Sequence, residues 1–400
     1  MSMDQLSSIW LHLKGFFQWL HRLLCSAHCF TTDFLQERST YCSLPSMETA
    51  SSSAFICIIY KRFLHPVSQL KSLVALGLVC FTLFLIQDLI SRNYSTIPTA
   101  HTIKILIWNW PHNKKPNIIE NMCAKLYGIP GCHMTTNRSA FKQADVVFFR
   151  HVDIYPSVTS LPQEKRPKQQ MWIWMSMESP SHNKKIEKLN GIFNWPMSYR
   201  RDSDIYTPYG KLIPNTDQHY TIPKKGSCLA AWVVSNYKKH HKRTSIVKSL
   251  QNYMTIDIYG KGNGKPLSPE TLQGTISKYP FYLAFENSVH QDYITEKLWR
   301  NSFMSGSVPV VFGPPRSNYE KFVPPGSFIH VEDFPSTKEL AEYLKRVAKN
   351  ETLYKQYFEW KKQFKVKLTD SRERICQICK NYHTLPQKKV YHNFDEWWYG

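Results

Sequence analysis

The residues best suited to chemistry concentrate in the stretch Phe281-Tyr-Leu-Ala-Phe-Glu-Asn-Ser-Val-His-Gln-Asp-Tyr-Ile-Thr-Glu-Lys-Leu298. Its carboxylates suit ribose hydroxyls, and a lysine at a helix start, Lys297, suits phosphate oxygens. Three further groups stand apart from it. Glu178 follows the aromatic run Met171-Trp-Ile-Trp-Met175 and precedes Ser179-Pro180. Proline disfavours a helical residue before it, so the chain turns there and projects a carboxylate with the chemistry of a general base; the bland alternative is an exposed loop glutamate. Arg243 comes early in a helical pattern after Ser235-Asn236, where a guanidinium, a helix N-terminus and strand-end amides would together cradle a diphosphate. Asp202 and Asp204 form an Asp-x-Asp that reads either as a manganese site bridging nucleotide phosphates or as a charged loop. Their neighbours Arg200 and Arg201 would compete for the carboxylates, which favours the loop. No GxxxxGKS, HExxH or GxSxG motif occurs, so P-loop, zinc-protease and serine-hydrolase chemistry lack support.

The elements that must position these groups read as strands alternating with helices. Apolar runs at 103–108, 145–149, 171–175, 229–234, 255–260, 281–285, 308–312 and 327–331 are expected as strands, and helices over 118–127, 243–250, 337–349 and 353–364. That alternation predicts an α/β protein with parallel sheets, in two domains with a ligand cleft between them. In the opening stretch the pattern predicts a buried strand, a polar turn, and a helix N-capped by Asp292. Tyr293 and Lys297 would then share a helix face. A strand end feeding a helix start is where an open α/β sheet places a ligand.

The chain has 400 residues and a formal net charge of +21, which is room for two domains with real cores. The basic excess admits nucleic acid, an anionic membrane surface or a phosphorylated substrate as partner. No zinc-finger spacing or RNA-binding aromatic motif occurs, which speaks against nucleic acid. Residues 73–86 are continuously apolar or small. They predict a single-pass anchor over 72–90, with a cytoplasmic tail over 1–71 and a Ser/Thr/Pro stem over 91–101. Lys61, Arg62 and Lys71 precede the anchor, so the C-terminal bulk would be lumenal. The sequons at Asn137 and Asn350 fit that topology, and Asn93 begins a third close to the membrane. Five of the ten cysteines lie beyond the anchor: Cys123, Cys132, Cys228, Cys376 and Cys379. Cys376 and Cys379 form a CxxC that reads as a zinc half-site, a redox motif or two disulfide halves. No second CxxC or CxxH lies beyond the anchor, so bridges to Cys123 and Cys132 are simpler, leaving Cys228 odd.

Phe-Glu-Asn-Ser-Val-His-Gln-Asp-Tyr-Ile-Thr-Glu-Lys-Leu298 followed by Gly306-Ser-Val-Pro-Val-Val-Phe-Gly-Pro314 resembles the signature of the Golgi α-1,3-fucosyltransferases. So do Met175-Ser-Met-Glu-Ser-Pro180, Tyr199-Arg-Arg-Asp-Ser-Asp-Ile205, Trp232-Val-Val-Ser-Asn236, Ser327-Phe-Ile-His-Val-Glu-Asp-Phe334 and the CxxC. The likeness covers about residues 101–400 and is nearest to the Lewis x-forming members. It implies a GT-B-like fold of two Rossmann-like domains. These would be an acceptor-side domain over 102–215 and a GDP-fucose-binding domain over 216–375, with a segment 376–400 disulfide-linked back to the first. It also implies inverting transfer of L-fucose from GDP-β-L-fucose to the 3-hydroxyl of N-acetylglucosamine in lactosamine glycans of glycoproteins or glycolipids. The enzyme would be a type II Golgi membrane protein and a homodimer. No metal would be required, a divalent ion at most stimulating the reaction.

The same resemblance assigns roles to residues. Glu178 would be the general base, and Arg243 and Lys297 would neutralise the departing diphosphate. Glu296 would bind ribose, and Asn287, Tyr282 and Tyr293 the nucleotide-sugar. Tyr209, Val233, Ser235, Asn236 and Tyr259 would complete the donor pocket, with Trp110 and Lys114 on the acceptor side. Lys114 stands where relatives carry glutamine. The implied bridges are Cys123–Cys376 and Cys132–Cys379, and a third family bridge is replaced by Ala231 and Tyr279. Two other readings are a metal-dependent Asp-x-Asp glycosyltransferase and a catalytically silent lumenal lectin.

Overall fold

The computed structural model describes residues 79, 81–88, 102–109, 118–155, 160–217 and 219–400. The chain divides into two units, Met1–Ile97 and Pro98–Gly400. In the first, residues 79 and 81–88 are helical, with Phe81, Leu83, Phe84 and Ile86 exposed. Among the described residues no helix is long and apolar enough to cross a membrane. Most of the expected anchor over 72–90, the tail and the stem lie outside the described residues.

The second unit is built on two parallel sheets. The first contains β1 (Ile103–Ile107), β2 (Cys132–Thr135), β3 (Val146–Arg150), β4 (Met171–Ser176), β5 (Trp195–Ser198) and β6 (Ile205–Tyr206), in the order β2-β1-β3-β4-β5-β6. The second contains β8 (Ala230–Val233), β9 (Ile256–Tyr259), β10 (Phe281–Phe285), β11 (Val308–Phe312) and β12 (Ile329–His330), in the order β12-β11-β10-β8-β9. Every neighbouring pair is parallel. An antiparallel ribbon of β7 (Gly210–Pro214) and β13 (Phe364–Leu368) adds a third, small sheet.

Parallel sheets are covered on both faces, so their central strands are mostly apolar. β4, β10 and β11 are buried at every position. Alternate side chains of β10 enter different cores. Phe281, Leu283 and Phe285 meet Trp232 and Val310 on one face, while Tyr282 and Ala284 meet Trp299 and Val311 on the other. Each sheet reverses its strand order beside its first strand, between β1 and β3 and between β8 and β10. Crevices of this kind, beyond the carboxyl ends of the strands, are where open α/β sheets take ligands. Gly260 closes the turn after β9 at φ 114°, and a Cβ there would lie 2.1 Å from the Val234 carbonyl oxygen at the end of β8.

Two expectations need correction. Asp292 does not cap a helix. It sits in the left-handed region at φ 61° and is buried. Its carboxylate accepts from the Arg201 backbone N–H (2.9 Å) and the Asn318 amide (2.7 Å), so it tethers two loops instead. The helix begins only at Lys297 and runs to Phe303 with wide π-type turns, and Tyr293 therefore precedes it. The expected helix over 353–364 is a short helix Glu351–Gln356, a 3-10 turn Glu359–Lys362, and the start of β13. There the alternating Phe-Lys-Val-Lys-Leu pattern wins because β7 supplies a partner strand.

The chain returns to the first sheet at Asp370, whose carboxylate caps the helix Ser371–Asn381 through the Arg372 and Glu373 N–H groups. Cys376 of that helix is bridged to Cys123, and Cys379 to Cys132. The final helix, Phe394–Tyr399, sets Phe394 and Trp398 edge-on to Trp174, with ring centroids 5.0 and 4.8 Å away.

Candidate active site

A cavity of about 340 Å³ lies at the reversal point of the second sheet. Val233, Ser235 and Asn236, at the end of β8, form one wall. Asn287, after β10, forms another with Tyr293, Glu296 and Lys297, and Glu178 and Tyr209 face them. The geometry thus brings ten residues singled out from sequence to one place, Arg243 among them.

The two cations differ in their surroundings. Lys297 lies between two carboxylates, 3.0 Å from Glu286 and 3.2 Å from Glu296, and also donates to the Thr295 hydroxyl (2.8 Å). Burial opposes its charge, but Glu286 and then Glu296 outweigh burial and hold its pKa above the ordinary lysine value. Glu286 is the buried member of this set, and it also accepts from the Thr295 N–H (2.9 Å). Burial lifts its pKa above the usual carboxylate range, with Lys297 opposing. Glu296 is raised by burial and lowered more by Lys297, so its carboxyl falls below that range.

Arg243 is 5% exposed and has only neutral partners. Its guanidinium donates to the Asn236 carbonyl (2.9 Å) and, more weakly, to the Phe285 carbonyl (3.4 Å), and its Nε is buried without a partner. Burial lowers its pKa, and Glu286 is the first group to oppose that. A guanidinium held dry by carbonyls keeps its charge available for an anionic ligand.

Glu178 is exposed at the cavity edge, in the loop after β4. Its N–H donates to the Ser176 hydroxyl (3.1 Å), and the Asn183 amide reaches its carbonyl (3.4 Å). The Tyr293 hydroxyl donates to its carboxylate at 3.3 Å, and the Tyr209 hydroxyl donates to the Met177 carbonyl. The loops after β4 and β10 are joined directly. The Ser288 hydroxyl donates to the buried Ser179 hydroxyl (2.6 Å), and Ser181 pairs with His290 (2.6 Å).

Other residues named from sequence sit elsewhere. Tyr282 is wholly buried behind the cavity and accepts from the Asn301 amide (3.1 Å), so it orients a lining residue. Tyr259 bonds Tyr279 (2.7 Å), which in turn donates to Asp257. Trp110 and Lys114 lie outside the described residues. Both carboxylates of the Asp-x-Asp are engaged, Asp202 by a two-pronged Arg200 and Asp204 by Lys389 (2.7 Å). No cluster of three metal-binding side chains occurs among the described residues. Asn137 and Asn350 are exposed, Cys228 is a half-buried free thiol, and Ala231 and Tyr279 are packed in the core. Sequence reasoning passed over Arg300, Asn301 and the N-terminus of the helix Pro269–Ile276, all of which line the cavity. The helix had a legible signal: Ser268 before Pro269, an N-cap followed by proline at the first position.

Residues 222–397 match the family model described as glycosyltransferase family 10 (fucosyltransferase) C-term, and residues 100–210 match the fucosyltransferase N-terminal model. Alpha-(1,3)-fucosyltransferase 7 of Homo sapiens is 44% identical over 335 residues, covering 83% of this chain and 97% of that protein. The 4-galactosyl-N-acetylglucosaminide 3-alpha-L-fucosyltransferase 9 of Mus musculus is 43% identical over 298 residues, covering 74% and 82%. A crystal structure of an alpha1,3-fucosyltransferase with GDP-fucose aligns with 74% of this chain and 94% of its own, at a TM-score of 0.49 and 18% identity.

Proposed function

The chain belongs to glycosyltransferase family 10, the fucosyltransferases, and on that premise we propose that it transfers L-fucose from GDP-β-L-fucose to the 3-hydroxyl of N-acetylglucosamine in lactosamine glycans, with inversion. The two parallel sheets supply the halves of a GT-B-like enzyme, donor on the second and acceptor on the first. The protein works in the Golgi lumen as a single-pass type II protein anchored over 72–90. The basic residues before that segment, the exposed sequons and the two disulfides support this, since such bridges persist in oxidising compartments.

GDP occupies the 340 Å³ cavity. Its diphosphate lies on Arg243, with Lys297 and Arg300 adding charge, and Glu296 takes the ribose hydroxyls. Glu178 removes the proton from the acceptor 3-hydroxyl. That oxygen bonds to the fucose anomeric carbon as the bond from carbon to the phosphate oxygen breaks. GDP leaves with the electron pair, and the cations stabilise the charge that develops on it. Attack opposite the leaving group turns the β-linked donor into an α-linked product.

The observation that carries the reading is the placing of Glu178 and Arg243 on one cavity, an exposed carboxylate held by the Tyr293 hydroxyl and a buried guanidinium held by carbonyls. Glu178→Gln should lower kcat by about a thousandfold, within the span of general-base contributions, and leave the GDP dissociation constant within about twofold of wild type, since no donor contact is removed. Kinetics and isothermal titration on the same preparation check this. Equal loss of turnover and GDP binding would remove Glu178 as the base.

A further inference from the structure

Another cavity, of about 430 Å³, lies against the ribbon of β7 and β13 and the helix Ser371–Asn381. It shares no lining residue with the cavity that holds Arg243 and Lys297. Both passages of the chain between the two sheets run along it, residues 206–211 on the way out of β6 and residues 367–369 on the way back. Its volume falls within the range of small-molecule sites.

Three lysines line this cavity, and their charges are unevenly met. Lys211 and Lys367 are direct partners across the antiparallel ribbon, so both side chains leave it on one face. Like charges placed directly opposite destabilise a strand pair. Lys380 joins them from the helix Ser371–Asn381, which turns Glu373, Gln377 and Lys380 to the cavity at helical spacing. Glu373 is the one carboxylate in the lining, and it is committed to Lys367 at 2.8 Å. Asp370 nearby accepts from the Tyr127 hydroxyl (2.8 Å) and from the Arg372 (2.7 Å) and Glu373 (2.9 Å) N–H groups. Lys211 and Lys380 have no ion pair among the described residues. A cross-strand lysine pair with one member uncompensated is a standing cost that a bound anion would remove.

Two unmet ammonium groups match a phosphate monoester, which carries about −1.5 to −2 charges at pH 7. Beside them Tyr206 is 39% exposed, an apolar ring with a polar tip that suits the C–H face of a sugar. We propose that this cavity binds a phosphorylated sugar, its phosphate on Lys211 and Lys380 and its ring on Tyr206. A ligand held there fastens the outgoing passage of the chain to the returning helix. Tyr209, two residues before Lys211, lines the cavity that holds Arg243, so the clamp adjoins that site without sharing it. The site does not depend on the reaction proposed above.

The test uses the full chain, titrated calorimetrically with glucose 6-phosphate and with inorganic phosphate, each with and without saturating GDP. Glucose 6-phosphate is expected to bind with a Kd of about 1 mM or tighter, whether or not GDP is present. It should bind at least about threefold more tightly than inorganic phosphate, and Tyr206→Ala should remove that difference. The double variant Lys211→Gln, Lys380→Gln should weaken glucose 6-phosphate at least about tenfold, through the loss of charge-assisted bonds, and leave GDP affinity within about twofold of wild type. Because Lys211 faces Lys367, Lys211→Gln alone should leave the thermal midpoint of the ligand-free protein unchanged or raise it. Binding that GDP abolishes belongs to the other cavity and overturns the proposal. No binding, equal affinity for the two probes in wild type, or full affinity in the double variant overturns it as well. So does a fall in the ligand-free midpoint of Lys211→Gln, which would mean that the fold itself uses that lysine.

Discussion

Arg243 and Lys297 point into one cavity with the same charge, yet the residues around them assign different work. Lys297 offsets Glu286, whose side chain is 1% exposed, so it is a structural cation as well as a proposed ligand for GDP. Removing one partner of a buried pair strands the other, at a cost of about 3–5 kcal/mol. Lys297→Ala should therefore lower the thermal midpoint sharply as well as weaken GDP binding, whereas the double change Glu286→Gln, Lys297→Met should restore most of the stability and leave GDP binding weak. Arg243 strands no charge when removed, only the Asn236 and Phe285 carbonyls. Arg243→Met should abolish measurable GDP binding with little or no loss of stability, because a dehydrated charge without an acidic partner is itself a cost. Thermal unfolding and GDP titration of the three variants decide this, and a large stability loss in Arg243→Met would refute the distinction. Glu178, Arg243 and Lys297 were legible in sequence because a charged residue at a strand end or helix start is conspicuous there. The stabilising role of Glu286 was not, since its partner lies beyond the turn that brings the two together.

At the scale of elements, the proposed base and the proposed donor pocket are held in register by two loops. The loop after β4 carries Glu178, the loop after β10 carries Asn287, and the Ser179–Ser288 hydrogen bond ties them one residue beyond each. That bond is buried on the Ser179 side, where a lost partner costs about 1–3 kcal/mol. Ser179→Ala and Ser288→Ala are each expected to lower kcat by about tenfold, as small displacements of reacting groups do, with GDP affinity nearly unchanged. Both remove the Ser179–Ser288 bond, and Ser179→Ala also loses the His182 contact (2.9 Å), so the double variant should be little worse than Ser179→Ala alone. Fully additive losses in kcat would show that the bond does not couple the loops. The loops themselves could be placed from sequence, since buried parallel strands such as β4, β10 and β11 announce their ends as an apolar run gives way to polar residues. The strands that escaped notice lacked that signature. β2 is Cys-His-Met-Thr at a sheet edge, β5 contains a proline, and β7 and β13 exist only because each completes the other across more than 140 residues of chain. The helix after β10 was expected four residues too early because Asp292 has the chemistry of an N-cap but spends its carboxylate on Arg201 and Asn318.

On the scale of the whole molecule, the C-terminal segment holds the first sheet together. The chain leaves the first sheet after β6, builds the second, and returns at Asp370 to pack two helices against its starting point. Cys123–Cys376 and Cys132–Cys379 lock that return across 253 and 247 residues of sequence. The alternation of strands and helices made the α/β class readable, but the return path was visible only as a CxxC, whose partners periodicity cannot identify. The two bridges are redundant in a way that loop-closure entropy makes measurable. With one in place, the other closes only the short loop between neighbouring cysteines, worth about 3 kcal/mol, whereas with neither the chain regains the freedom of a loop of about 250 residues, worth about 5 kcal/mol more. The single variants Cys132→Ser/Cys379→Ser and Cys123→Ser/Cys376→Ser should each lose about 3 kcal/mol, and the variant lacking both bridges about 8 kcal/mol. Denaturant titration of the second unit under oxidising conditions tests this. Equal losses for the first and second bridge removed would mean that the bridges stabilise the native contacts locally rather than by restricting the unfolded chain.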